Sequence, residues 1–191
     1  MLLYEYFQES AITKAVEAEE SYYLEICETS LKSRLSILAF LGEKCIGFVL
    51  NYIRRRQSYV PTKKFATKGY GNPKINKITV LMDEIKRNYS YFIPNCKKLF
   101  VLRILFVQPF FQGKGIATKL TKKSTEIARE NGCDSIMATS SNVKSAHIFT
   151  KFGFQCVREI PYTSFQENGQ TFLQSFGDGN DSVRLMILKL L

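Results

Sequence analysis

No run of apolar residues in this 191-residue chain approaches the about 20 that a membrane-spanning helix needs, so no such helix is expected. CxxC pairs are missing too: Cys27, Cys45, Cys96, Cys133 and Cys156 are odd in number and scattered. That argues against a disulfide framework or a zinc site and predicts a reducing compartment. The GxxxxGK[ST] spacing of a P-loop does not occur, and neither does GxGxxG followed about twenty residues later by an acid. Zinc-finger spacing, the RNA-recognition aromatic signature and heptads are likewise absent, so no nucleic-acid partner is expected. Acids are scarce: 17 against 27 lysines and arginines, a formal charge of +10. The surplus gathers in 54–77, where RRRQ, PTKK and ATKGYGNPK follow one another. Such a block reads as a solvated loop, or as attraction for a polyanion such as a nucleotide cofactor.

What is present suits one soluble domain spanning 1–191. The start, MLLYEYFQES, has two acids and no basic region, unlike a signal peptide, so a cytoplasmic protein is expected. Residues 5–33 mix polar and apolar positions at helical spacing without Gly or Pro. SILAFLGEKCIGFVLNYI (36–53) predicts two strands around a turn at Gly42–Lys44, and 54–76 a loop. Ile78, Leu81, Met82 and Ile85 predict a helix over 76–90. LFVLRILFV (99–107) is apolar except for Arg103, as in a central strand covered on both faces.

The stretch FFQGKGIATKL (110–120) places two glycines where a helix begins. A helix start bares N–H groups and positive dipole, and glycine lets an anion approach closely. A glycine-opened helix without ligand has the same spacing. Ile116, Ala117, Leu120, Ser124, Ile127 and Ala128 share one helical face, and Asn131–Gly132 stops the helix. CDSIMATS (133–140) predicts a second central strand, Ser145–Lys151 a helix ended by Gly153, and FQCVREIPY and VRLMILKL closing strands, with TFLQSF a further candidate. Strand, glycine turn, helix and strand make a crossover unit in an α/β or α+β fold with a mixed sheet.

Residues 101–154 resemble the acetyl-CoA-binding core of the GNAT N-acetyltransferase superfamily: a strand ending in V-x-P, Q-x-G-x-G/A opening a helix, a strand, then A-x-x-x-x-K-x-GF. NPKINKITVLMDEIKRNYSYF, LFVLRILFV and SSNVKSAHIFTKFGF are similar to the insect arylalkylamine subgroup. The resemblance implies a mixed, mostly antiparallel sheet with a splayed parallel pair of central strands flanked by helices. It also implies acetyl-CoA as cosubstrate, its pyrophosphate on Gly113, Lys114, Gly115, Ile116 and Ala117 with Gln112 ahead. The pantetheine would pair with Leu105, Phe106 and Val107, the ligand acting as a surrogate strand.

Many members protonate the leaving thiolate with a tyrosine four residues before the GF pair; here Phe149 stands there, along the cofactor, and has no proton to give. The subgroup's two serines fall on Ser141 and Ser145. Ser145 is expected as donor to the CoA sulfur and Ser141 as a positioning group, although either would also serve as a helix cap. The family's basic glutamate corresponds to Glu9 in QESA, beside a run of other acids. The lone histidine, His147, is offset from Ser145 on the helix and so a poor alternative base. The acceptor implied is a small arylalkylamine of the dopamine, serotonin, octopamine or tryptamine type, met by an aromatic wall from Tyr22, Tyr23, Phe48, Tyr52, Tyr59, Phe165 and Phe172. Polyamines, agmatine and protein lysines are the alternatives within enzymes, and a CoA-binding module without turnover the alternative outside them. A monomer is expected.

Overall fold

The computed structural model describes residues 20–55, 73–167, 170–171 and 181–190. The first expected hairpin forms from β1 (Ile37–Leu41) and β2 (Lys44–Arg55), antiparallel, with Gly42 turning at φ +58°. Six consecutive residues of β2, 46–51, are buried, because helices cover both of its faces. After α1 (Glu20–Lys32) the described helices are α2 (Pro73–Ile85), α3 (Ile116–Glu130) and α4 (Val143–Lys151). The remaining strands are β3 (Lys98–Val107), β4 (Ser135–Ser140), β5 (Gln155–Pro161), the two-residue pair β6 (Gln166–Glu167) and β7 (Gln170–Thr171), and β8 (Ser182–Lys189).

Boundaries differ from the sequence expectation for local reasons. α2 starts at Pro73, not 76, since proline's fixed φ suits a first helical position. It stops at Ile85, and Asn88 then takes a left-handed φ of +52° before a 3-10 turn, Tyr89–Tyr91. α4 begins two residues before Ser145. Of TFLQSF only Thr171 lies among the described residues, paired with Gln166. The predicted helix over 5–33 is described from Glu20 onward.

The main sheet has the order β1-β2-β3-β4-β8-β5. Every neighbouring pair in it is antiparallel except β3–β4, which is parallel, as a crossover through α3 requires. On one face α3 and α4 set Leu120, Ala128 and Phe149 against Val49, Phe100, Leu102 and Val107. The buried stripe of α3 is Leu120, Thr121, Ser124 and Ala128, and Asn51 Nδ2 ties it to β2 by donating to Ser124 Oγ at 3.0 Å. On the other face α2 packs Leu81 and Ile85 on Leu99, Val101, Val183 and Leu185. Beside it α1 packs Tyr23, Ile26 and Cys27 on Phe48 and Leu50.

The parallel pair is short. Its register runs from Leu99↔Ser135 to Leu102↔Ala138 and ends there. β3 continues through Arg103 to Val107, about 16 Å at strand rise, with β2 as its one ladder partner. Opposite this point the β2–β3 register slips between Leu50↔Ile104 and Asn51↔Leu102, leaving Arg103 as the extra residue of a bulge. The sheet therefore opens as a V with its vertex at Leu102 and its mouth at Val107.

Candidate active site

The mouth of the V meets the glycine loop. Pro109–Phe111 form one 3-10 turn after β3, then Gly113 and Gly115 take φ of +74° and +76°. Both need glycine, since an L side chain is strained at such φ. A Cβ at either would meet no atom within 4 Å, and residues 112–115 are exposed, so the backbone faces open space. Gly115 is the N-cap of α3, and no side chain caps that helix. Its first-turn N–H groups lack intrahelical acceptors and point into the open space, an arrangement suited to a diphosphate.

Gln112 and Lys114 do other work. Gln112 Nε2 donates to the Val107 carbonyl at 3.3 Å, and its Oε1 accepts from Lys144 Nζ at 3.3 Å. Its side chain thus spans the mouth from β3 to α4. The Lys114 ammonium sits 5.0 and 5.1 Å from the ring centres of Phe110 and Phe111, a cation–π seat beside the loop.

Along the V the backbone alternates. Gln108 N–H donates to Ile46 C=O at 3.0 Å, which sets the phase of the antiparallel ladder. By that phase Phe106 and Ile104 turn their polar groups to β2, and Leu105 and Val107 turn theirs into the opening. Phe106 instead offers its ring, 5.3 Å from that of Phe48, to the α1 side. An extended, amide-containing arm laid in the opening finds strand-like partners at Leu105 and at the Val107 N–H, the Val107 carbonyl being engaged by Gln112, in line with the anion loop.

A model of the acetyltransferase (GNAT) family matches residues 2–154. The chain belongs to this family. Arylalkylamine N-acetyltransferase 2 from Aedes aegypti superposes with a TM-score of 0.85 at 25% identity, over 97% of this chain and 89% of that one. The mosquito arylalkylamine N-acetyltransferase like 5b gives 0.81 at 16% identity, over 97% and 90%. The polyamine N-acetyltransferase of Drosophila melanogaster gives 0.79 at 16%, over 97% and 90%. The last two share the fold with this chain. Acetyl-CoA is the donor that GNAT proteins use.

In this GNAT chain the cap of α4 is neither of the serines considered for it. Asn142 caps the helix, its Oδ1 accepting from Lys144 N at 2.7 Å and Ser145 N at 3.3 Å. An Asn carbonyl reaches two N–H groups at once, and the serines are left for other contacts. Ser145 Oγ lies 2.9 Å from the Asn142 carbonyl and 2.7 Å from Ser140 Oγ, itself 2.8 Å from the same carbonyl. Ser140 is fully buried and Ser145 half-buried. Three oxygen contacts share two hydroxyl protons. When Ser140 donates to Ser145 Oγ, the Ser145 proton can turn away from the Asn142 carbonyl while its oxygen stays held.

Ser141 is half-buried, and its backbone carbonyl accepts from Tyr162 Oη at 3.3 Å. Phe149 is 2% exposed and packs in the core, its ring 5.3 Å from that of Phe154. His147 is exposed. Glu9 lies outside the described residues. Of the expected aromatic wall, Tyr23 and Phe48 are core residues, Tyr52 and Phe165 pack partly against the α2 side, and Tyr59 and Phe172 fall outside the described residues. Ser140, Asn142, Lys144 and Tyr162 were not singled out in the sequence. The run TSSN offered Ser140, yet only packing shows which serine is buried.

Proposed function

We propose that the chain transfers an acetyl group from acetyl-CoA to the primary amine of a small arylalkylamine, by direct attack on the thioester in a ternary complex. The observation that carries this reading is the V between β3 and β4, open from Leu102 onward, beside an uncapped glycine-rich helix start. The likeness to an Aedes aegypti arylalkylamine N-acetyltransferase supports the choice of amine. Gly113, Lys114, Gly115, Ile116 and Ala117 hold the diphosphate through backbone N–H groups, and Leu105 and Val107 pair with the pantetheine. Ser145 gives its proton to the departing sulfur and takes one back from solvent, to which it is half open. A thiolate of ordinary pKa, about 8.5, needs that proton only modestly, so a hydroxyl suffices. Ser141 positions amine or water, and Glu9 removes the proton of an amine whose free pKa is about 10.

The test is thiol release from acetyl-CoA with dopamine, serotonin, octopamine and tryptamine set against spermidine, agmatine and a lysine peptide. The expected result is turnover concentrated in the first group. Faster turnover of spermidine or agmatine would move the assignment to polyamines. CoA binding without turnover of any amine would leave a binding module.

A further inference from the structure

Cations crowd the α2 face of the sheet near the vertex. Arg103 is the bulged residue directly after the last β3–β4 pair, and its side chain is half-buried. It follows Val101, which packs under α2, and so lies on the face away from α3. Lys86, one residue past α2, shares that face; its side chain is only 20% exposed. Burial first, then the Arg103 guanidinium and more weakly Arg54, lowers the Lys86 ammonium to about 8, against the opposing pull of Asp83. Among the described residues the one carboxylate acting on Lys86 is Asp83, at 3.5 Å and half exposed.

Other nearby cations are already committed. Arg158 donates to the Glu84 and Ile85 carbonyls at the end of α2, and Arg87 pairs with Glu84. No hydrogen bond or ion pair to Arg103 is formed among the described residues. A half-buried guanidinium beside a buried ammonium is costly without an anion between them. A purely cationic amine entering here would add a third positive charge.

We infer that the acceptor carries a carboxylate besides its amine, as an aromatic amino acid does, and that Arg103 and Lys86 bind it. The inference rests on the acetyltransferase reading and narrows its substrate class. The guanidinium offers two parallel N–H groups to a carboxylate, and Arg103 stands at the vertex of the opening proposed to receive the pantetheine. A bound carboxylate also offsets the repulsion that Arg103 exerts on Lys86.

Thiol release is measured for the matched pairs tyrosine with tyramine and tryptophan with tryptamine. The acids are expected to exceed the amines in kcat/KM by at least about tenfold, the scale of one charge-assisted hydrogen bond. Arg103→Met and Lys86→Met should each erase that margin, and Arg103→Lys should keep part of it. Amines that equal or exceed their acids in the unaltered protein overturn the inference while leaving the acetyltransferase intact. A margin that survives both Met variants overturns it as well. If no acceptor turns over, binding to the CoA complex decides. N-acetyltryptophan held about tenfold more tightly than N-acetyltryptamine, and not so in Arg103→Met, upholds the carboxylate site, whereas equal binding removes it.

Discussion

At the scale of single residues the catalytic claim turns on one hydroxyl. Ser145 Oγ can accept from Ser140 Oγ, 2.7 Å away, instead of donating to the Asn142 carbonyl, which turns its proton outward while its oxygen stays held. Removing the hydroxyl in Ser145→Ala should lower kcat about tenfold to a hundredfold, less than a strongly basic leaving group would demand. KM for the amine should change little, since the acid role proposed for Ser145 acts on the sulfur. Asn142 carries the cap, so the thermal midpoint of Ser145→Ala should stay near that of the unaltered protein. Asn142→Ala should instead lose about 1 kcal/mol of stability. If Ser145→Ala loses stability and keeps its rate, the serine is structural. Steady-state kinetics beside a melting curve separate the two.

Among the elements, the close contact of β2, β3 and α3 sets the shape of the mouth. Gly47 sits opposite Val107, and a Cβ there would meet the Phe106 carbonyl oxygen at 2.9 Å, Val107 Cγ2 at 3.3 Å and Ile116 Cγ2 at 3.4 Å. The first contact is backbone, which has little room to yield. Gly47→Ala should therefore push β3 toward the opening, cost about 1–3 kcal/mol in a melt and raise KM for acetyl-CoA. An unchanged KM would show that the opening tolerates the shift. Much at this scale was legible in the sequence. The apolar run 99–107, the α3 face and the Asn131–Gly132 stop are one-dimensional patterns, and the described helix and strands follow them. The opening itself was not legible from residues alone. Pairing that ends at Leu102 and a bulge at Arg103 depend on strands distant in sequence, and only the resemblance implied a splayed pair. The choice of Asn142 as cap, and the burial of Ser140 rather than Ser141, likewise come from tertiary contacts that four adjacent polar residues do not encode.

For the whole molecule, charge couples the site to stability. With a formal +10 and an isoelectric point near 9.4, the chain repels itself at neutral pH, and the folded state also buries the Lys86 ammonium, with Arg103 and Arg54 acting on it and Asp83 as its acid. The folded pKa of Lys86, about 8, lies below its ordinary 10.5, so between those values the unfolded chain holds a proton that the folded one has released. Stability then rises with pH across that window. Burial raises the thiols of Cys27, Cys133 and Cys156 above their usual 9.0, and above that pH they work in the opposite direction. The Lys86 contribution is therefore clearest from about pH 7.5 to 9. Lys86→Met removes it while leaving the overall repulsion nearly the same. Relative to the variant, the unaltered protein should gain melting temperature as pH rises over that range. A constant difference between the two would mean that Lys86 keeps an ordinary ammonium. Adding an acidic acceptor together with CoA should flatten the same difference, because its carboxylate stabilises the ammonium that the empty fold works against.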